Sequence, residues 1–335
     1  MKPKISIVMP MYNMEKFIEP CINSVLNQTF EDFELIVVDD QSTDRSFEIV
    51  REKYSTDSRV KLLQQVKNGG DYNARNLALR ATTGDYVYVI DSDDLLLPNT
   101  LEVLFVASEE SNADVVYMNS YFRTEDAIDL QRYSCLDPEP RFLSTNLLDR
   151  LEREYLNVGV YVTPWIKIQR RDFLFKNEIY FPVIPAYTDV LFNLAELCFA
   201  KRALVIDFGG YVYRKHPNST MSAVEEKLFR RAMLSMSGTV DYVSAILSSP
   251  RLIEPLSDEM KVKLESRIIF DYFKLYLMQS YESKNLVEID KFLRGIIDSN
   301  PEILRPEVTK NIVHALAMYI IQGGIEKMII TPLFD

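Results

Sequence analysis

The sequence predicts an α/β fold, a mostly parallel sheet flanked by helices, with a helical C-terminal extension. Three observations carry this expectation. Short β-branched runs alternate with amphipathic helical patterns over the first hundred residues. Polar or acidic clusters stand directly after several of those runs, and beyond Ser222 the apolar spacing is helical throughout.

The elements follow in order. Ile5 to Met9 is the first strand, and residues 15–28 place Phe17, Cys21 and Val25 at four-residue spacing on an amphipathic helix, which makes Cys21 a core residue. Leu35 to Asp39 is the next strand, followed by a helix from about Thr43 to Tyr54. Val60 to Gln65 leads through Lys67-Asn68-Gly69-Gly70 into a helix from Asp71 to Ala81, and Tyr86 to Ile90 runs into Asp91. A helix is expected near Pro98, a strand at Val115 to Met118, helical patterns near 144–156 and 188–200, and strands at Leu204 to Asp207 and Tyr211 to Arg214. Leu228, Ala232, Met236, Val240, Val243 and Leu247 then continue at helical spacing, as do Ile269, Phe273 and Tyr276. The expected organisation is a domain over 1–221, with halves at about 1–95 and 96–221, and an α-helical extension over 222–335.

Composition narrows the function. A chain of 335 residues with 47% hydrophobic content can bury a substantial core. Its formal net charge of −11 excludes nucleic acid as a partner, because neutralising phosphates needs clustered Lys and Arg. The apolar stretch from Ile5 is cut short by Pro10, and no apolar run approaches the ~20 residues of a membrane helix. Cys21, Cys135 and Cys198 have neither metal spacing nor a disulfide framework, so a cytoplasmic setting is expected.

The strongest local signal is Asp91-Ser92-Asp93-Asp94 after a buried strand. In extended backbone, residues two apart face the same side, so Asp91 and Asp93 can converge at the carboxyl edge of the sheet, where open α/β sheets bind ligands. A hard cation such as Mg²⁺ or Mn²⁺ would relieve their repulsion while bridging to a diphosphate. The tetrapeptide is equally compatible with a polar turn capping the next helix. Asp39-Asp40-Gln41-Ser42-Thr43-Asp44 ends the second strand, where a carboxylate can accept from a base or ribose hydroxyl, or where Ser42 or Thr43 can cap a helix. Pro10-Met11-Tyr12-Asn13 ends the first, with Tyr12 placed to stack on a base or to pack.

These segments, with Asn68-Gly69-Gly70, Ala74-Arg75-Asn76 and Thr83-Gly84-Asp85-Tyr86, resemble in order and spacing the family 2 glycosyltransferases of GT-A fold, over roughly residues 3–220. The resemblance implies a catalytic domain over 1–221 that binds a nucleotide-sugar donor in its first half and an acceptor in its second. It implies that Tyr12 and Asp40 contact the nucleobase, with Pro10 lending backbone, and that Arg75 lies near the nucleotide. Asp91 and Ser92 would face the ribose, and Asp93 the metal, Mn²⁺ or Mg²⁺. Thr163-Pro164-Trp165-Ile166-Lys167 resembles the acceptor-side segment, although a lone tryptophan is as readily a core residue. In Thr188-Asp189-Val190-Leu191-Phe192, Thr188 replaces the family's Glu, and Asp189 keeps the position of the general base, with helix capping as its alternative role. Tyr213-Arg214-Lys215-His216 resembles a segment that returns to the diphosphate, with Arg214 offsetting charge and His216 as a metal ligand.

The implied activity is inverting transfer of a sugar, by resemblance from a UDP-sugar, to a hydroxyl of a glycan or lipid-linked saccharide. The alternative is a non-catalytic nucleotide-sugar or glycan-binding module of the same fold, prompted by Thr188 and by Gln41 where the family commonly has Gly. A nicotinamide-dependent oxidoreductase is disfavoured because Gly-x-Gly-x-x-Gly does not follow the first strand. The helical extension is read as packing, as a homodimer contact, or as a peripheral membrane contact, with buried packing the default because the aromatic stretch from Ile269 is apolar on more than one face.

Overall fold

The structure, a computed structural model, describes residues 2–125, 128–134, 139–156, 163–184, 188–216, 238–262 and 264–265. Chain order begins with β1 (Ile5–Met11), α1 (Ile18–Leu26), β2 (Phe33–Asp39), α2 (Ser46–Tyr54), β3 (Val60–Gln64), α3 (Asp71–Ala81) and β4 (Tyr86–Val89). It continues with β5 (Leu95–Leu96), α4 (Thr100–Ser111), β6 (Val115–Met118), β7 (Ser120–Thr124), β8 (Gln131–Ser134) and β9 (Arg141–Phe142). Next come α5 (Leu147–Arg150), a π-helical turn over Leu151–Leu156, β10 (Lys167–Arg170), α6 (Arg171–Lys176), α7 (Thr188–Phe199), β11 (Ala203–Ile206) and β12 (Tyr211–Arg214).

Among the described residues these strands form an eight-stranded sheet in the order β3-β2-β1-β4-β10-β6-β11-β9 and a four-stranded sheet in the order β5-β12-β7-β8. Both faces of β1 and β2 are covered, so every residue of these strands is buried and the runs are apolar without alternation. The pairs β1–β2, β1–β4 and β2–β3 are parallel, whereas β10 runs antiparallel between β4 and β6. The mostly parallel sheet is therefore as expected. β10 is an addition that the sequence reading did not assign, because its Lys167 and Gln169 carry no apolar signal although both are fully buried.

Two other expectations are corrected. Ser42 and Thr43 do not cap α2. Ser42 Oγ accepts from the Asn13 amide, and the Thr43 amide donates to Asn13 Oδ1, so they clamp the loop after β1. α2 begins later, where Asp44 accepts from the Ser46 amide at 2.9 Å. Nor does the acidic element cap α4, since Asp94 bonds to β12 instead.

Close packing at the opposite edge of the sheet leads to a first prediction. A Cβ on Gly84 would lie 2.7 Å from the Ser6 amide nitrogen and 2.9 Å from the Ile5 carbonyl carbon, both main-chain atoms that cannot step aside. Gly84→Ala is expected to lose about 1–3 kcal/mol of stability by overpacking, measured by urea denaturation. An unchanged midpoint would mean that β1 and the turn before β4 are not held this closely.

α7 is the most buried helix near the site. Leu191 through Phe199 are all buried. Arg150, itself fully buried, closes the C-terminal end of α7 by donating to the carbonyls of Leu197 and Ala200. Helical backbone at 238–247 buries Val240, Val243 and Leu247, which agrees with their spacing in the sequence. The rest of the expected extension, with the dimer and membrane contacts assigned to it, lies outside the described residues apart from 248–262 and 264–265. No helix among the described residues is long and apolar enough to cross a membrane.

Candidate active site

Parallel pairing brings the ends of β1, β2 and β4 to one edge. Met11 pairs with Asp39, and the Ile90 amide donates to the Val8 carbonyl, so the residues after each strand emerge together. Pro10 is buried within β1. Tyr12, just past it, is 43% exposed and offers an open ring. Asn13 and Gln41, at φ 56° and 61°, turn the chain back in left-handed conformations. Glycine adopts that conformation without the steric cost a Cβ brings. Gln41 adopts it while donating its side-chain amide to the Gln65 carbonyl.

Asp40 is buried and accepts from the Gly69 amide at 2.7 Å, the Gly70 amide at 2.8 Å and Gln65 Nε2 at 2.6 Å. Burial raises its pKa, with the two glycine amides opposing. Gly70 sits at φ 86°, a left-handed position that lets its amide face the carboxylate just before α3 begins. Asp40 thus shapes the loop before α3. Asp39 is wholly internal, accepting from the Ser42 amide and Gln64 Nε2.

α3 presents Arg75, the central cation of the site. Its Nη1 donates to Asp71 Oδ2 at 2.6 Å and its Nη2 to Asp91 Oδ1 at 2.8 Å, and the guanidinium lies 5.3 Å from the Phe181 ring centroid. Burial opposes its charge, but Asp71, Asp91 and Asp189 outweigh burial and raise its pKa. Asp71 was not among the residues singled out in the sequence. Its only signal there is the four-residue spacing to Arg75 on a helix.

The acidic element divides its labour. Burial raises the pKa of Asp91, with Arg75 opposing and Asp93 reinforcing. Ser92 is buried. Asp93 Oδ2 is 2.9 Å from His216 Nε2, and the His216 ring stacks on Phe17 at 4.3 Å. Asp94 is a buried anchor, accepting from the Tyr211 hydroxyl and the Arg214 amide. Tyr211 is a further residue of the site that sequence reasoning missed, since its hydroxyl also accepts from the Asp91 amide at 3.4 Å. Arg214 donates to the Asp93 carbonyl and to the Phe17 carbonyl. The returning strand β12 therefore meets the acidic element.

Trp165 is only 7% exposed. Its ring stacks on Tyr211 at 4.1 Å and meets Tyr121 edge-on, so it forms a packed floor beneath the site. Asp189 occupies the first turn of α7, inside the helix, with Oδ1 accepting from the Val190 amide at 3.0 Å. It is partly exposed, yet enclosed enough that burial raises its pKa to about 6, with Arg75 opposing and Asp71 adding to the rise. Asn76 fixes Phe181 through paired bonds to its amide and carbonyl, and Phe181 stacks on Phe192 of α7, which brings α7 against α3.

Asp91 is engaged by Arg75, whereas Asp93 and His216, a carboxylate and an imidazole, contact each other directly. Among the described residues no cluster of three or more acidic, His or Cys side chains could hold a metal ion. A carboxylate beside an imidazole has the donor chemistry to ligate a divalent ion such as Mn²⁺, whose other positions phosphates and water would fill.

Residues 6–175 match the family described as "Glycosyl transferase family 2". The chain is 33% identical over 224 residues to "Uncharacterized glycosyltransferase EpsJ" of Bacillus subtilis, covering 65% of this chain and 63% of that protein. It is 31% identical over 214 residues to the poly(ribitol-phosphate) beta-N-acetylglucosaminyltransferase TarS of Staphylococcus aureus, covering 63% of this chain but 35% of TarS. The match thus spans less than two thirds of either relative. A crystal structure of a TarS fragment in complex with UDP-GlcNAc superposes with a TM-score of 0.72 at 24% identity, covering 98% of this chain and 95% of that one, so the fold is shared. With the family match extending over just over half of its length, the chain belongs to glycosyl transferase family 2.

Proposed function

We propose that this protein is an inverting glycosyltransferase that moves a sugar from a nucleotide-sugar, a UDP-sugar by likeness to the TarS complex, to a hydroxyl of a glycan or lipid-linked acceptor. The observation that carries the reading is the convergence, on one sheet edge of a family 2 chain, of Asp91 and Asp93 with a buried arginine and a carboxylate whose pKa is raised to about 6.

In this reading Tyr12 and Asp40 receive the nucleobase, with Pro10 supplying backbone, and Asp91 and Ser92 face the ribose. Arg75 steadies the nucleotide side through its bonds to Asp71 and Asp91. Asp93 and His216 are the residues that would hold a divalent ion, which would supply charge stabilisation for the departing diphosphate. Arg214 acts from the diphosphate side, and Trp165 supports the acceptor side. Asp189 removes the proton of the acceptor hydroxyl as its oxygen attacks the anomeric carbon. A pKa near 6 keeps Asp189 ionised at neutral pH while leaving it more basic than an ordinary carboxylate.

Calorimetric titration with UDP, GDP and NAD, with and without Mn²⁺, tests the donor site. The expected result is Mn²⁺-dependent UDP binding that Asp93→Ala loses. Failure of every nucleotide to bind would overturn the reading. UDP binding without turnover of any donor would favour a non-catalytic module, the outcome that Thr188 in place of Glu first suggests.

A further inference from the structure

One ion pair lies wholly inside the protein behind this site. Lys167 of β10 and Glu196 of α7 bond directly, and both side chains are 0% exposed. The same ammonium also donates to Asn193 Oδ1. Burial pushes the Lys167 pKa down and that of Glu196 up, and their mutual attraction opposes both shifts.

Position explains what such a costly arrangement can do. At about 100° per residue, Asn193 and Glu196 lie within roughly 40° of Asp189 around the axis of α7, on one face of the helix. Lys167 grips that face at two points. On the same strand, Ile168 pairs with Tyr88 of β4, three residues before Asp91. The Tyr88 hydroxyl also donates to the Trp165 carbonyl at 2.8 Å. A single lysine therefore ties the helix bearing Asp189 to the strand bearing the acidic element. The rest of α7 is packed mainly by apolar side chains, with Phe192 stacked on Phe181, and Lys167 adds directional contacts on the face that carries Asp189. Arg150 fixes the helix along its axis, at its C-terminal end.

We propose that Lys167 is a positioning residue for sugar transfer: through Asn193 and Glu196 it sets the rotation of α7, and with it the direction in which the Asp189 carboxylate faces. The proposal rests on Asp189 as the general base. Replacing a buried charged set with apolar residues of similar volume is commonly neutral for stability, so stability and positioning can be separated.

The test replaces Lys167→Met, Asn193→Leu and Glu196→Met together and follows UDP release from UDP-N-acetylglucosamine, or from whichever nucleotide-sugar the wild-type protein turns over. The expected result is a folded protein with unchanged UDP affinity and unchanged donor KM, but with kcat lower by about 10- to 100-fold, the scale of a misplacement of about 1 Å. Should the triple variant not fold, Glu196→Gln keeps the shape and replaces a charged acceptor by a neutral one. A smaller fall in kcat alone is then expected. Wild-type kcat in whichever of these variants folds overturns the proposal. Asp189→Asn is run beside them. If it retains activity, the base assignment fails and takes this proposal with it. If it is inactive while the triple variant is fully active, only the role of Lys167 fails.

Discussion

Asp189→Asn is expected to lower kcat by about 10²–10⁴-fold, the usual contribution of a general base, while leaving UDP affinity intact. Asparagine can still accept from the Val190 amide, so the first turn of α7 keeps its bond. For the wild type, burial raises the Asp189 pKa from 3.8 to about 6, and the base is the ionised form. Turnover should therefore hold level at and above neutrality and fall about tenfold per pH unit below about 6. Stability runs the opposite way. The folded protein binds this proton more tightly than the unfolded chain does, so ionising Asp189 opposes folding in full above about 6 and not at all below 3.8. Asp189→Asn is then expected to stabilise the protein by about 1–2 kcal/mol at pH 7.5 once partial exposure is allowed for, a gain that disappears towards pH 4. Urea denaturation at the two pH values reads this directly. A variant that loses both activity and stability at pH 7.5 would show that Asp189 is structural rather than a strained base.

Much of this site is visible in the sequence because parallel strands bury both faces. Ile5 to Met9, Leu35 to Asp39 and Tyr86 to Ile90 stand out as apolar runs, and whatever polar residue follows each run must surface at the same edge. That logic locates Tyr12, Asp40, Asp91 and Asp93, and the family resemblance adds Asp189 and His216 by spacing. What escapes is the polar interior. β10 is invisible because Lys167 and Gln169 look like surface residues, although both are buried and Lys167 finds its partners on α7. Tyr211 could be assigned to a strand but not to Asp94, since the bond joins positions 117 residues apart. Asp71 looks like an ordinary helix-start acid, and its part in the charge balance depends on Arg75 lying buried beneath it. Sequence periodicity reports which face is buried. It does not report which charges are buried together.

Arg75→Met tests that charge balance. The guanidinium is 8% exposed and bridges Asp71 and Asp91, which are 58% and 28% exposed. Removing it leaves three carboxylates, with Asp189, facing one another across an apolar side chain. The expected loss is about 2–3 kcal/mol at pH 7.5, below the about 3–5 kcal/mol of a wholly buried pair because water still reaches Asp71 and Asp91. The loss should shrink as pH falls, because protonation of the carboxylates removes the repulsion that the arginine had offset. Catalysis supplies the sharper reading. Arg75 is the chief influence holding the Asp189 pKa down against burial, so its removal must move the acid limb of kcat above about 6. Arg75→Lys retains a positive charge without the planar fork that spans two carboxylates, so it should restore the acid limb in part while recovering little of the stability. An acid limb that stays at about 6 in Arg75→Met would show that the arginine serves Asp91 and the nucleotide alone, and that burial by itself sets the base.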